Sequence, residues 1–279
     1  MKHWNLVIDL ARCHDCNDCF LADKDEFVGN DFPPYSVAQP WSGHRWMNIH
    51  RKERGQFPIV QVAYLPQPCM HCADAPCMKK APEGAIYHRP DGLVIIDPVK
   101  AKDHRELVAA CPYGSIYYNE EAGLPQKCTG CAHLLDEGWT ETRCSQVCPT
   151  GAISLVLAED EEWEKKVKAE NLQAYKADLG SHPRVLYKSL ERWEKVFVSA
   201  SLAYKDTDEC ADGATITVHQ VGATVAQGKS GTYGEFVVDG LEPGAEYEVR
   251  IEAKNYQVYA TKVKLDNSLN LGLILLEKS

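Results

Sequence analysis

Eleven of the chain's twelve cysteines fall between Cys13 and Cys148, in short regular spacings. So many thiols in half of one chain leave two ways to fold: disulfides, or thiolate-bound metal. A disulfide framework belongs to oxidising compartments. The N-terminal MKHWNLVIDLARC has neither an apolar core nor a twin-arginine pair, so a cytoplasmic location is expected, with export on a partner's signal as the alternative. The spacings therefore read as metal-binding.

Three segments repeat one signature: Ala81-Pro-Glu-Gly-Ala-Ile86, Cys111-Pro-Tyr-Gly-Ser-Ile116 and Cys148-Pro-Thr-Gly-Ala-Ile153. In bacterial-type ferredoxins the run C-x2-C-x2-C-x3-C-P gives three ligands to one cluster, and its fourth cysteine ligates the other. The proline stops the local helix, the glycine permits a tight turn and the isoleucine starts a strand. Four half-sites follow. The first is Cys13, Cys16, Cys19, with Asp23 in fourth place. The second is Cys69, Cys72, Cys77, with Ala81 fourth. The third retains only Cys111, with Ala101, His104 and Leu107 where three cysteines would stand. The fourth is Cys128, Cys131, Cys144, Cys148.

Crossed pairing gives three [4Fe–4S] clusters. One takes Cys13, Cys16, Cys19 and Cys148; a second takes Cys128, Cys131, Cys144 and Asp23; a third takes Cys69, Cys72, Cys77 and Cys111. The fourth cluster would need Ala81, Ala101, His104 and Leu107, and is expected to be absent. All the missing cysteines but one thus belong to a single site, whereas random loss would scatter them. Structural zinc is the competing reading, but zinc favours two separated C-x2-C pairs or Cys/His mixtures. Asp23 occupies the repeat's own fourth position, although carboxylate is a harder ligand than thiolate. Asp25 and His133 are its rivals. Cys210 lies outside the pattern and reads as an ordinary thiol.

The remaining sequence suggests α+β architecture: a tandem ferredoxin-like domain over 1–158 with an insertion at 24–65, a helix and linker arm over 159–195, and an all-β sandwich over 196–279. Short strands are expected at Trp4–Leu10, Ile86–His88, Val94–Asp97, Ile116–Tyr118 and Ile153–Leu157. Within the insertion, the basic and aromatic stretch Gly43–Gly55 reads either as a loop packed over a cluster or as a docking surface. The charged run 159–179 predicts an amphipathic helix ending near Gly180. Beyond Val196, alternating segments such as Thr215-Ile-Thr-Val-His219 and Tyr247-Glu-Val-Arg-Ile251 are divided by turn signals at Asp212-Gly213, Gly231, Gly234 and Pro243-Gly244, a sandwich pattern. The net charge of −10 argues against nucleic-acid binding and against an anionic membrane surface. No apolar run is long enough to span a bilayer. No phosphate-loop, dinucleotide-binding or nucleophile-elbow motif is present, so no catalytic residue is assigned.

The four-half-site layout resembles the iron–sulfur subunits of the molybdopterin enzymes related to dimethyl sulfoxide reductase. Within them, Val7-Ile-Asp9, Cys13-x2-Cys16-Asn-x-Cys19-Phe20, His44-Arg-Trp-Met-Asn-Ile49, Pro68-Cys-Met-His-Cys72, Cys111-Pro-Tyr-Gly114, Gln126-Lys-Cys-Thr-x-Cys131-Ala-His-Leu-Leu-Asp136 and Pro183-Arg-Val185 are similar to small subunits of the pyrogallol–phloroglucinol transhydroxylase type. The stretch Gly234-Glu-Phe236 through Leu241-Glu-Pro-Gly-Ala-Glu-Tyr-Glu-Val249 resembles prealbumin-like or carboxypeptidase-regulatory-like repeats, and the subunit resemblance implies a C-terminal β-sandwich and a heterodimer with a large catalytic subunit. The partner would hold molybdenum in a bis-molybdopterin guanine dinucleotide and act on polyhydroxylated aromatics. A reductive catechol dehydroxylase, a resorcinol hydroxylase and a freestanding polyferredoxin are the alternatives.

Overall fold

The computed structural model describes residues 2–279, which divide into two compact units. The first comprises the chain up to His50 together with Tyr64–Leu190; the second comprises Arg51–Ala63 and Glu191–Ser279. Among the described residues no helix is long and apolar enough to cross a membrane.

The first unit is built on a small sheet. The strand His3–Asp9 lies in the middle, antiparallel to Ile153–Ala158 and parallel to Val185–Lys188. Its residues Trp4–Ile8, apolar except for Asn5, are buried throughout, as expected of a strand covered on both faces. Two short hairpins, Ile86–His88 with Val94–Ile96 and Tyr117–Asn119 with Leu124–Gln126, follow the first two copies of the Pro-x-Gly signature. Helices near the cysteines are brief: Asp18–Phe27, Pro76–Lys80, Ala132–Asp136 and Arg143–Gln146, with a 3₁₀ turn at Arg105–Ala110. Each of these α-helices starts beside a cysteine. Pro76 opens one because its missing N–H would find no partner in the first turn anyway. Thr142 caps another by accepting from the Ser145 N–H.

The helix expected over 159–179 spans only Asp160–Ala169. Asn171 takes a left-handed conformation (φ 50°), and the Leu172 N–H reaches back to the Val167 carbonyl at 2.9 Å. Leu172 then packs against Val7 and Leu186. This is a helix stop set by a left-handed residue and an apolar anchor, and it overrides the charge pattern that ran on to residue 179. The arm after Pro183 is integral to this unit: Val185, Leu186 and Tyr187 are buried in the sheet, and the Tyr187 hydroxyl donates to the Pro66 carbonyl at 2.9 Å.

The second unit packs two sheets around one core. Val196–Tyr204 runs between Glu235–Leu241 and Leu269–Leu276; Thr215–Gln220 and Ala245–Glu252 lie inside the other sheet, flanked by Ala223–Lys229 and Tyr259–Leu265. Inward positions alternate as the sequence pattern requires, with Val198, Ala200, Leu202, Ile216, Val218, Phe236, Val238, Val249 and Ile251 all buried. Each large aliphatic or aromatic side chain so placed contributes about 1.5–3 kcal/mol. Arg54, only 4% exposed, forms a two-pronged ion pair with Asp239. Gly234 is the critical turn residue. Its φ is +73°, and a Cβ there would collide with the Leu202 carbonyl oxygen. Gly234→Ala is expected to destabilise this unit by about 3 kcal/mol, read as a lower denaturation midpoint; an unchanged midpoint would mean that the turn tolerates a side chain.

Candidate metal centre

The C-x-x-C segments share a backbone device. In the first C-x-x-C of each run, the residue just before the second cysteine has positive φ: Asp15 at 58°, His71 at 43° and Gly130 at 67°. The left-handed step curls the loop so that main-chain N–H groups face a sulfur. His71 N–H donates to Cys69 Sγ at 3.5 Å, and Gly130 N–H to Cys128 Sγ at 3.4 Å. Arg143 N–H donates to Cys131 Sγ at 3.4 Å, and Ala152 N–H to Cys148 Sγ at 3.3 Å. Such donors stabilise negative charge on sulfur and tune a bound cluster. At position 130 the left-handed backbone is joined by crowding, since a Cβ there would strike the Leu93 side chain.

All twelve cysteines are free of disulfides. Cys69, Cys72, Cys77 and Cys111 line one cavity with Pro112, Tyr113 and Lys127. Cys128, Cys131, Cys144 and Asp23 line a second with Trp4, Phe27 and Met47. Cys13 lies within electrostatic range of Cys16 and Cys148, and Cys19 within range of Cys13 and Cys16, which gathers the remaining set. The sets adjoin one another: Cys19 interacts with Cys144, and Cys128 with Cys69. The Asp23 group therefore adjoins each of the other two. Cys210 is exposed and stands apart.

Asp23 reaches its cavity by helical periodicity. It follows Cys19 by four residues on Asp18–Phe27, so both side chains share one face, and both are buried. Gln39 Nε2 donates to its Oδ2 at 3.2 Å. Burial pushes the Asp23 carboxyl up to about 7, against the hydrogen bond from Gln39. The rivals sit elsewhere. The Asp25 side chain is 80% exposed, near Arg143. His133 Nε2 lies 2.9 Å from Glu26 Oε1, and its ring stacks on Phe32 with centroids 3.8 Å apart.

The donor chemistry suits an iron–sulfur cluster. Burial, then the neighbouring Cys69, pushes Cys72 up to about 12 and Cys77 up to about 11. Burial likewise raises Cys144 to about 11 and pushes Cys128 and Cys131 up. Thiolates crowded in this way need cationic iron to offset their charge. Burial also acts upward on Cys148, but hydrogen bonds from Thr150 and from the main chain at Ile153 and Ala152 outweigh it, and its net shift is downward. The Trp4 indole N–H, 1% exposed, edges the middle cavity with no acceptor. Such a buried orphan donor is rare unless an acceptor occupies the space beside it. Among the described residues no three His, Cys, Asp or Glu side chains converge tightly enough for a single metal ion; the thiols ring cavities instead. At the third half-site, Ala101 and Leu107 are fully buried, and His104 turns outward to Glu106 at 2.7 Å.

The stretch Gly43–Gly55 mixes buried with exposed residues. Trp46 and Met47 are almost fully buried, Trp46 against Phe27, and Met47 lines the middle cavity. No motif in the sequence singles out Lys127, Trp4 or His71 for the site. The C-x-(left-handed)-C device is equally hidden there, because only Gly130 of its three residues is a glycine.

Thiol-lined cavities, N–H donors aimed at sulfur and the Cys-Pro repeats define an iron–sulfur protein of the ferredoxin type. Residues 60–158 match the 4Fe-4S dicluster domain family. Over 279 residues the chain is 44% identical to the pyrogallol hydroxytransferase small subunit of Pelobacter acidigallici, covering 99% of this chain and all of that one. It is also 34% identical over 154 residues to a subunit of the anaerobic dimethyl sulfoxide reductase of Escherichia coli, covering 54% and 71% respectively. The iron–sulfur subunit of a putative dimethyl sulfoxide reductase of Halobacterium salinarum is 29% identical over 246 residues, covering 77% and 90%. The chain belongs to the family of the pyrogallol hydroxytransferase small subunit, within the iron–sulfur subunits related to dimethyl sulfoxide reductase.

Proposed function

We propose that this chain holds three [4Fe–4S] clusters and conducts electrons to or from a large molybdopterin-containing catalytic subunit acting on polyhydroxylated aromatics. The grouping of the thiols carries the reading: Cys128, Cys131, Cys144 and Asp23 line one cavity, Cys69, Cys72, Cys77 and Cys111 line another, and Cys13 and Cys19 lie within electrostatic range of Cys16, with Cys148 close to Cys13. Bound clusters supply one-electron transfer. The chain's own residues hold the thiolates in place, exclude water with Trp4, Phe27, Met47 and Tyr113, and direct N–H groups at sulfur. Molybdenum, in a bis-molybdopterin guanine dinucleotide, belongs to the partner. The likeness over full length to a pyrogallol hydroxytransferase small subunit supports chemistry on phenolic rings. The C-terminal strands make a prealbumin-like sandwich that serves as a stabilising or partner-docking module.

Purification of the tagged chain from its own cells under anaerobic conditions tests this reading. The expected result is a brown complex with about twelve irons per copy of this chain and a large molybdenum-bearing partner. A colourless zinc protein, or a monodisperse monomer that reduces unrelated acceptors, would overturn it.

A further inference from the structure

One buried charge is left over by the site as described. Lys127 is only 3% exposed. Its Nζ donates to two main-chain carbonyls, those of Val94 and Cys128, the latter at 3.2 Å. An ammonium group has three donors, and neither carbonyl bears a full negative charge. Among the described residues no carboxylate forms an ion pair with it. Burying a cation without a counter-charge costs several kcal/mol, so an anion is expected within reach.

The position says which anion. Lys127 lines the cavity formed by Cys69, Cys72, Cys77 and Cys111. It favours the thiolate forms of both Cys77 and Cys111. It also directly precedes Cys128, which lines the adjoining cavity, and so stands where two cluster sites meet. A cluster held by four thiolates is a net anion that gains further negative charge on reduction. A fixed cation beside it stabilises the reduced form more than the oxidised form, because attraction grows with the charge attracted.

We propose that Lys127 is the built-in counter-charge of the Cys69/Cys72/Cys77/Cys111 cluster and holds its reduction potential up relative to an uncharged neighbour. The inference rests on the three-cluster reading above. Lys127 acts through its charge and does not ligate iron. Its place at the junction of two cluster sites makes it a control point for where an electron rests among the clusters.

The test is a redox titration of the complex, purified anaerobically and followed by electron paramagnetic resonance. The relevant signal is the one that Cys111→Ala abolishes. Lys127→Gln, which removes the charge and keeps polar character, is expected to lower that cluster's reduction equilibrium constant about tenfold or more, a shift of about 59 mV to more negative potential for one electron. Lys127→Arg is expected to restore most of it. Full iron content with an unmoved potential in Lys127→Gln would overturn the proposal, as would an equal shift in Lys127→Arg. Should Lys127→Gln lose this cluster's iron, Lys127→Arg decides: retention of the cluster supports the counter-charge, and loss overturns it. Absence of any Cys111-dependent signal in the unsubstituted complex would instead sink the three-cluster reading itself.

Discussion

Cys111→Ala is expected to lower the iron content from about twelve to about eight per chain, the loss of one four-iron cluster. Cys111 is the single cysteine retained by its half-site, and its partners Cys69, Cys72 and Cys77 come from the other side of the cavity. Without it, three thiolates face a wall of Pro112, Tyr113 and Ile116, which offers no replacement donor there. The other two groups keep their own donors, and their signals should persist. Tyr113, whose hydroxyl meets Ser181 at 2.9 Å, ties this cavity to the segment before the arm strand. Protease sensitivity near residues 175–190 is therefore expected to rise with loss of the cluster. Cys210→Ala, at an exposed thiol outside every cavity, serves as the control and should change nothing. Unaltered iron content and spectra in Cys111→Ala would remove Cys111 from the ligand set and dissolve the crossed pairing.

Asp23 separates two ligand chemistries at one position. Asp23→Cys is expected to keep about twelve irons and shift only the middle cluster, toward more negative potential, because thiolate is the softer and more strongly donating ligand. Asp23→Ala should leave that cluster with three protein ligands and lower the iron content below about twelve per chain. The signals of the outer clusters should be untouched in both variants. Iron analysis together with resonance spectra decides the matter: if Asp23→Ala leaves every signal in place, the carboxylate is not a ligand. The place of this group beside each of the other two gives the experiment reach. A change in its potential alters the step of an electron passing between them, so the rate of intramolecular transfer should move with it.

Much of the site was legible because its information is local. A C-x2-C-x2-C run followed by Cys-Pro brings donors together through turns of a few residues, and the repeat signature exposes which positions are filled. Asp23 was legible for a related reason, being one helical turn from Cys19. The features that were not legible depend on burial and on distant neighbours. Lys127 reads as an ordinary basic residue until the fold encloses it between two cavities. The stretch Gly43–Gly55 left two readings open, and the structure buries Trp46 against Phe27 while leaving Arg51 and Glu53 exposed. The charged helix stops at Ala169, well before its polar pattern ends, because Leu172 is claimed by the Val7–Leu186 cluster.

By itself, then, the sequence carried the short-range features: the thiolate spacing, the helical step from Cys19 to Asp23, and the alternation of the C-terminal strands. These are short-range properties, set by backbone geometry and side-chain identity. Only the tertiary structure decided which cysteine segments share a cavity, the separation of Asp25 and His133 from the cavity that Asp23 lines, and the burial of Lys127. Those depend on which segments meet across long stretches of chain, and on the low-polarity interior that such meetings create, where one charge or one unpartnered N–H counts for far more than it does in water.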